Sequence, residues 1–335
     1  MLSLRRGSVT AVSERLVGFV RLEVDGRPCV AYPRLTGPVA LGDEVVVNVQ
    51  ALELGLGSGG FDVLYVNLTR GLELTAEPDA HVMKLPYTPL QHAVRHAEEE
   101  AETGPEALGG LPVVCCSLHS QVAPVCAALG TDLAVAYVQL AGGALPVSFS
   151  DTVRTLRDRG HLRAAIAPGS TIDGDVACVS VASALLWCAG SGMDAIVCSI
   201  GPGVVGTNSR MGHGGVAAAE AANATSALGG TAILAPRLSD ADERDRHRGV
   251  SHHTLAAIEL SLGAVKIAWP AGRPIPSEVG AVEEVDVSDW EETCAALPLA
   301  HMGRGPVEDP AFFAAAFAAG RLARNLLANQ PRWSS

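Results

Sequence analysis

The sequence predicts an α/β protein: a doubly wound, mostly parallel sheet with helices on both faces, preceded by a small N-terminal β-barrel. Three observations point there. Residues 1–75 hold short alternating apolar runs separated by closely spaced turn signals. From residue 111, continuous apolar runs of strand length alternate with segments of helix length, the pattern of a parallel sheet buried on both sides. Glycine, hydroxyl, histidine or aspartate residues follow five successive strands, where open α/β sheets place their ligands. The chain has 335 residues, of which 48% are hydrophobic and 18% charged. It is long enough for two domains, and that composition excludes disorder.

In order along the chain, the barrel strands are expected in SVTAVSE, LVGFVRLEV, PCVAYP, DEVVVNV and DVLYVNL. Turns are expected at Asp25-Gly26, Gly37-Pro38, Gly42-Asp43 and Gly57 to Gly60. Small barrels of this kind bind oligonucleotides or serve as structural modules. The barrel aromatics are few (Phe19, Tyr32, Phe61, Tyr65), which favours packing over base stacking. Residues 76–110 read as a bridge. There YTPLQHAVRHAEEEAE predicts a helix, with Thr88 as its N-cap and Pro89 in its first turn. His92 and His96 would share one face of that helix, a metal-compatible spacing that a solvated face explains more simply.

The third segment, 111–335, is the α/β domain. Its strands are expected in VVCCSL, LAVAYVQL, RAAIA, AIVCSIG, TAILAP and AVKIAW. Helices are expected near 121–129, 149–159, 176–189, 214–228, 251–261 and 308–328. The last carries Phe312, Phe313 and Phe317 among alanines, a face suited either to its own domain or to a second copy in a homo-oligomer.

Composition bounds the partners. A net charge of −12 argues against nucleic acid. No leader peptide is expected, and the longest apolar run is divided by Gly190, Gly192 and Asp194, so no membrane span is expected. The eight cysteines lie largely in apolar segments and form no CxxC pair. That usage fits reduced thiols and a cytoplasmic location.

The densest chemistry lies in DERDRHRGVSHHTL, residues 242–255, where His247, His252 and His253 are three of the ten histidines of the chain. Imidazoles this close can bind a metal, move protons or hold an anion. Ser251 is placed to cap the next helix, and the adjacent histidines are expected to diverge so that one reaches the ligand. Arg248, with Arg244 and Arg246, can clamp carboxylate or phosphate, or form a surface network with neighbouring acids. GPGVVG, Gly201 to Gly206, spells G-x-G-x-x-G after the fourth strand. Its helix does not open at once, Pro202 is awkward in the turn, and Arg237 ends the next strand where an acid would stand, so nicotinamide is disfavoured. An anion pocket suits it better, with Gly201, Gly203 and Gly206 exposing backbone N–H groups and Thr207, Asn208 and Ser209 adding donors. The alternative is a tight structural turn. No G-K-[ST] and no G-x-S-x-G occur. Cys116 beside His119 suggests a nucleophile pair, but Cys116 lies inside an apolar strand.

A metal site needs three or four ligands. His119, Asp173, Asp175, His213 and His252 are all expected on one edge of the sheet and would suit Zn, Mn or Fe. Two functions are compatible with these residues. The first is a hydrolase or group transferase acting on a small anionic substrate. His252 and His119 would be its general acid–base groups, with Asp175 orienting one of them or helping to hold a divalent metal. His213, His247, Arg248, Ser251 and His253 would line the ligand. The second is a metabolite-binding or scaffolding protein without chemistry.

GPGVVGT, the following GHGGV, the LHS element at Leu118 to Ser120 and RHRGVSHHT resemble a bacterial family catalogued as domain of unknown function 3866. The resemblance covers essentially the whole chain and implies that these loops act as one unit. It carries no established activity. It also implies a histidine in the third-strand loop, where this chain reads PGSTIDGD with Ser170.

Overall fold

The computed structural model describes residues 2–55, 59–99 and 104–329. The chain forms two compact units, Met1–Arg95 and His96–Ser335. The first is a closed barrel built from β1 (Leu4–Leu16), β2 (Phe19–Val24), β3 (Arg27–Ala31), β4 (Glu44–Asn48) and β5 (Asp62–Asn67), in the order β1-β2-β3-β5-β4. Two short helices, α1 (Pro33–Thr36) and α2 (Gln50–Glu53), sit in its connections. Closure falls to the 13-residue β1, which pairs with β4 through Leu4–Ser8 and with β2 from Val9 onward. Register shifts between Val9 and Ala11 and between Val12 and Glu14 bend the strand between its two partners. Val9, Val20, Leu22, Val24, Val45, Val47 and Leu64 fill the interior. The turn predicted at Gly57 to Gly60 falls partly on 56–58, outside the described residues.

The predicted bridge helix is absent from the described residues. Instead β6 (Val82–Lys84) and β7 (His92–Val94) form an antiparallel hairpin, and a single 3-10 turn covers Ala97–Glu99. Strand pairing by His92, Ala93 and Val94 outweighs the helix propensity of the acidic run. The rest of that expected helix, 100–102, lies outside the described residues. His92 therefore shares no helix face with His96. His92 is in the hairpin, and His96 is buried in the second unit, bridged to Ala177.

The second unit is an eight-stranded, all-parallel sheet. Its strands are β8 (Pro112–Cys116), β9 (Val135–Leu140), β10 (Ala164–Pro168), β11 (Val176–Cys178), β12 (Ala195–Ile200), β13 (Thr231–Ala235), β16 (Val265–Pro270) and β17 (Glu283–Val285). Their order is β11-β10-β9-β12-β8-β13-β16-β17. The small ribbon of β14 (Leu238–Ser239) and β15 (Gly249–Val250) lies between β13 and β16 in sequence. Every residue of β8, β9, β10 and β12 is buried, as expected of strands covered on both faces.

The helices are α3 (Val122–Leu129), α4 (Asp151–Asp158), α5 (Val181–Gly190), α6 (Ala217–Ala227), α7 (His252–Leu260), α8 (Trp290–Cys294) and α9 (Pro310–Asn329). One layer joins α3 to α4, α8 and α9; the other joins α6 to α5 and α7. The helix predicted over 176–189 begins later than expected. Val176–Cys178 forms an edge strand on β10, and Ser180 then caps α5. Phe312, Phe313 and Phe317 are wholly buried in this unit, so their face serves their own core rather than a second copy. All eight cysteines are free and buried. Among the described residues, no helix is long and apolar enough to cross a membrane.

Candidate functional site

The strand order reverses between β8 and β12. The chain leaves β8 over β12 to reach β9 and leaves β12 over β8 to reach β13, so α3 and α6 depart to opposite faces. That divergence opens a crevice at the carboxyl ends of the two strands. His119, just after β8, lies there. Its Nδ1 is 3.2 Å from the Ile200 carbonyl at the end of β12, which fixes the proton on Nδ1 and leaves Nε2 basic. Nε2 stands 2.6 Å from the Ser150 hydroxyl, the N-cap of α4. Burial, partly offset by the Ile200 carbonyl, lowers the His119 pKa to about 4.

Four further histidines meet beside this crevice. His213 comes from the loop after β12; His247, His252 and His253 come from the segment after β13. Ring centroids separate His213 from His253 by 3.8 Å, and these two rings are stacked 14° from parallel. His252 lies 5.0 Å from His213, 4.8 Å from His247 and 4.5 Å from His253. The adjacent rings of His252 and His253 do diverge in plane, by 68°. Both rings lie against His213. His213 occupies the space between the two directions in which a first helical turn projects neighbouring side chains.

The local chemistry that holds the cluster is readable atom by atom. The Ser251 hydroxyl accepts the His253 N–H at 3.2 Å as the cap of α7 and lies 2.7 Å from His247 Nδ1. Capping and site building are thus one role. Nε2 of His213 donates to the Arg210 carbonyl at 3.0 Å. Its Nδ1 is buried and has no hydrogen-bond partner among the described residues. Gly215 passes beneath the stacked pair: a Cβ there would stand 3.1 Å from His213 Nδ1 and 3.2 Å from His253 Nδ1. A side chain at 215 would press on both nitrogens.

Arg237, two residues past the end of β13, is buried and donates to His253 Nδ1 at 3.2 Å. Its other side faces Asp242, which is equally buried. Arg244 and Arg304 also reach Asp242, at 2.9 and 3.3 Å. Burial opposes ionisation of Asp242, but the bonds and charge of Arg244 and the charge of Arg237 hold its carboxyl well below the usual range. Arg304 is shared with Asp309 at 3.2 Å. Three guanidiniums therefore face two carboxylates, and the surplus charge is positive. Burial first, and Arg237 next, lower His253 to about 2 and His247 to about 3. Burial also lowers His213 and His252. The four rings are neutral at neutral pH.

Other expected site residues fall elsewhere. Among the described residues, the group of three whose candidate ligand atoms lie within 4.8 Å of one another is His213, His252 and His253; His119, Asp173 and Asp175 are not in it. Asp175 accepts the Ala165 N–H at 2.8 Å and pairs with Arg157. Ala165 is the second residue of β10, so Asp175 sits at the starting edge of the sheet. The reason is topological: β10 and β11 are parallel, and the loop between them must run back along the sheet. Asp173, with φ 67°, lies in that return.

The glycine loop is likewise built for close packing. A Cβ on Gly201 would stand 2.1 Å from the Ala144 carbonyl oxygen, and Ala144 N–H donates to the Pro202 carbonyl at 2.8 Å. Gly203 adopts φ 74°. Gly206 bridges to His213, and Thr207 closes the loop onto the Gly212 carbonyl through both its N–H and its hydroxyl. Asn208 is exposed at the tip. Arg248 is exposed and donates to the Asp242 carbonyl at 3.2 Å. The arginine that donates to a ring of the cluster is the buried Arg237.

Four contributors were not singled out as site residues from sequence. Arg237 had one signal, a lone cation directly after an apolar strand. Ser150 had the cap pattern S-D-T-V. Asp242 was read as part of a surface network. His301, stacked on Phe312 at 3.7 Å and 3.1 Å from the Ser120 hydroxyl, had none.

Fold and site together define an α/β protein with a histidine–arginine cluster at the carboxyl edge of its sheet, preceded by a five-stranded barrel. The chain belongs to the family described as protein of unknown function DUF3866, whose model matches residues 28–320. No curated protein matches it.

Proposed function

We propose that this protein is an enzyme that hydrolyses, or transfers a group from, a small anionic substrate at the carboxyl edge of the sheet. The observation that carries this reading is the packing of four neutral imidazoles against buried Arg237, where guanidiniums outnumber carboxylates. The surplus positive charge suits a phosphate or carboxylate. His252 is the least buried of the four rings and meets the ligand. His119 is the general acid–base group, because its Nδ1 is anchored on a carbonyl and its Nε2 is free to exchange Ser150 for a substrate hydroxyl or water. Eight free thiols support work in the reducing cytoplasm.

The test is a thermal-shift screen of phosphate monoesters and small carboxylates, followed by product analysis of each stabilising compound. Turnover should fall roughly 100- to 10,000-fold in His119→Ala and in His252→Ala. Full activity in either variant removes that residue from the mechanism. Stabilisation without product from any compound leaves a metabolite-binding protein instead.

A further inference from the structure

We propose that His213, His252 and His253 form a binding site for one divalent transition-metal ion of the zinc class. The inference rests on reading the histidine cluster as a ligand site, but not on any particular reaction there. Three observations carry it. The candidate ligand atoms of the three side chains lie within 4.8 Å of one another. Ligands at about 2.0–2.1 Å from a tetrahedral ion stand about 3.3 Å apart, so the set closes when the stacked rings of His213 and His253 turn to bring their lone pairs together.

The second observation is His213 itself. It is 95% buried, since 5% of its surface is exposed. Its Nε2 donates to the Arg210 carbonyl at 3.0 Å, while its Nδ1 has no partner among the described residues. Metal-bound histidines commonly have this arrangement: one nitrogen donates to a carbonyl, which fixes the tautomer and turns the other lone pair toward the ion. The third is Gly215, whose lack of a side chain keeps a Cβ from pressing on the Nδ1 atoms of His213 and His253.

The donor set decides the class of ion. Three imidazoles with no carboxylate suit Zn, Co, Ni or Cu and do not suit Mg or Ca, which take oxygen ligands. Three protein ligands leave a fourth position open, as in catalytic rather than structural sites. Arg237 disfavours a bare dication beside it and competes for His253 Nδ1. The fourth position therefore takes an anion, either hydroxide or an anionic ligand.

The experiment uses untagged full-length protein, stripped with chelator and titrated with Co²⁺ and Zn²⁺. Binding is read by native mass spectrometry and by the visible ligand-field bands of Co²⁺. One ion per chain is expected, with intense bands of a four- or five-coordinate site. Affinity should fall roughly 100-fold or more in His213→Asn and in His252→Asn. The second variant alters the most exposed of the three rings and so keeps the test clean if the first disturbs folding. Arg237→Gln should bind more tightly, and His119→Asn should bind as before. Absence of a bound ion in the folded protein, or equal affinity in the His252 variant, overturns the proposal. Ion uptake without turnover keeps the metal site and removes the proposed reaction; turnover without an ion does the reverse.

Discussion

Asp242 shows how much one buried carboxylate can organise. Its side chain is 2% exposed and is shared by Arg237, Arg244 and Arg304, three cations that would otherwise repel one another next to four imidazoles. Replacing it with Asn keeps the shape and removes the charge. Asp242→Asn should therefore destabilise the protein by about 3–5 kcal/mol, the range for leaving a buried ion uncompensated. Urea denaturation measures this, and a loss below about 1 kcal/mol would mean that solvent already screens the cluster. Ser251 makes the same point on a neutral group. Its single hydroxyl caps α7 and holds His247. The capping role was legible from Ser before an amphipathic run; the bond to His247 required the turn over Asp245–His247.

At the level of elements, α9 is packed through its small residues. Gly320 lies against α3 so closely that a Cβ would stand 2.2 Å from the Val125 carbonyl oxygen. Gly320→Val should force α9 away from α3 and cost about 1–3 kcal/mol, the usual cost of overpacking. A thermal-unfolding midpoint unchanged from wild type would show that the layer can yield. The strands β8, β9, β10, β12 and β13 are legible because they are buried on both faces nearly throughout and their sequences are largely apolar. Over 87–99 alanine and glutamate favour a helix locally, whereas pairing with Val82–Lys84 and the turn at Pro86 and Pro89 decide the outcome. The short edge strands β11 and β17 have too few residues to show a period at all.

For the molecule as a whole, the buried neutral histidines set the acid response. His119 is lowered to about 4, His301 to about 3, His247 to about 3 and His253 to about 2, burial being the largest cause in each. Their unfolded values lie near 6.5. Above about pH 6.5 both states are neutral and stability is complete. As the pH falls through 6.5, the unfolded chain takes up protons that the native state refuses. Stability then drops by about 1.4 kcal/mol per pH unit for each fully buried ring. Denaturant midpoints measured from pH 8 to pH 5 should stay level to about 6.5 and then fall. The slope should be smaller in His301→Asn, which removes one of these rings. A midpoint level down to pH 5 would show that the rings protonate within the fold.

The sequence by itself determined the fold class, the barrel before the sheet, and the edge of the sheet that carries most of the chemistry. Those follow from local hydrophobic period and from residues that stand directly after strands. It also marked His247, Ser251, His252 and His253, because they are neighbours in the chain. It grouped His213 with them as a residue of the same sheet edge; only the tertiary structure set its ring against His252 and His253 and added Arg237. It also took Asp175 to the opposite edge, because parallel neighbours such as β10 and β11 require the chain between them to return along the sheet.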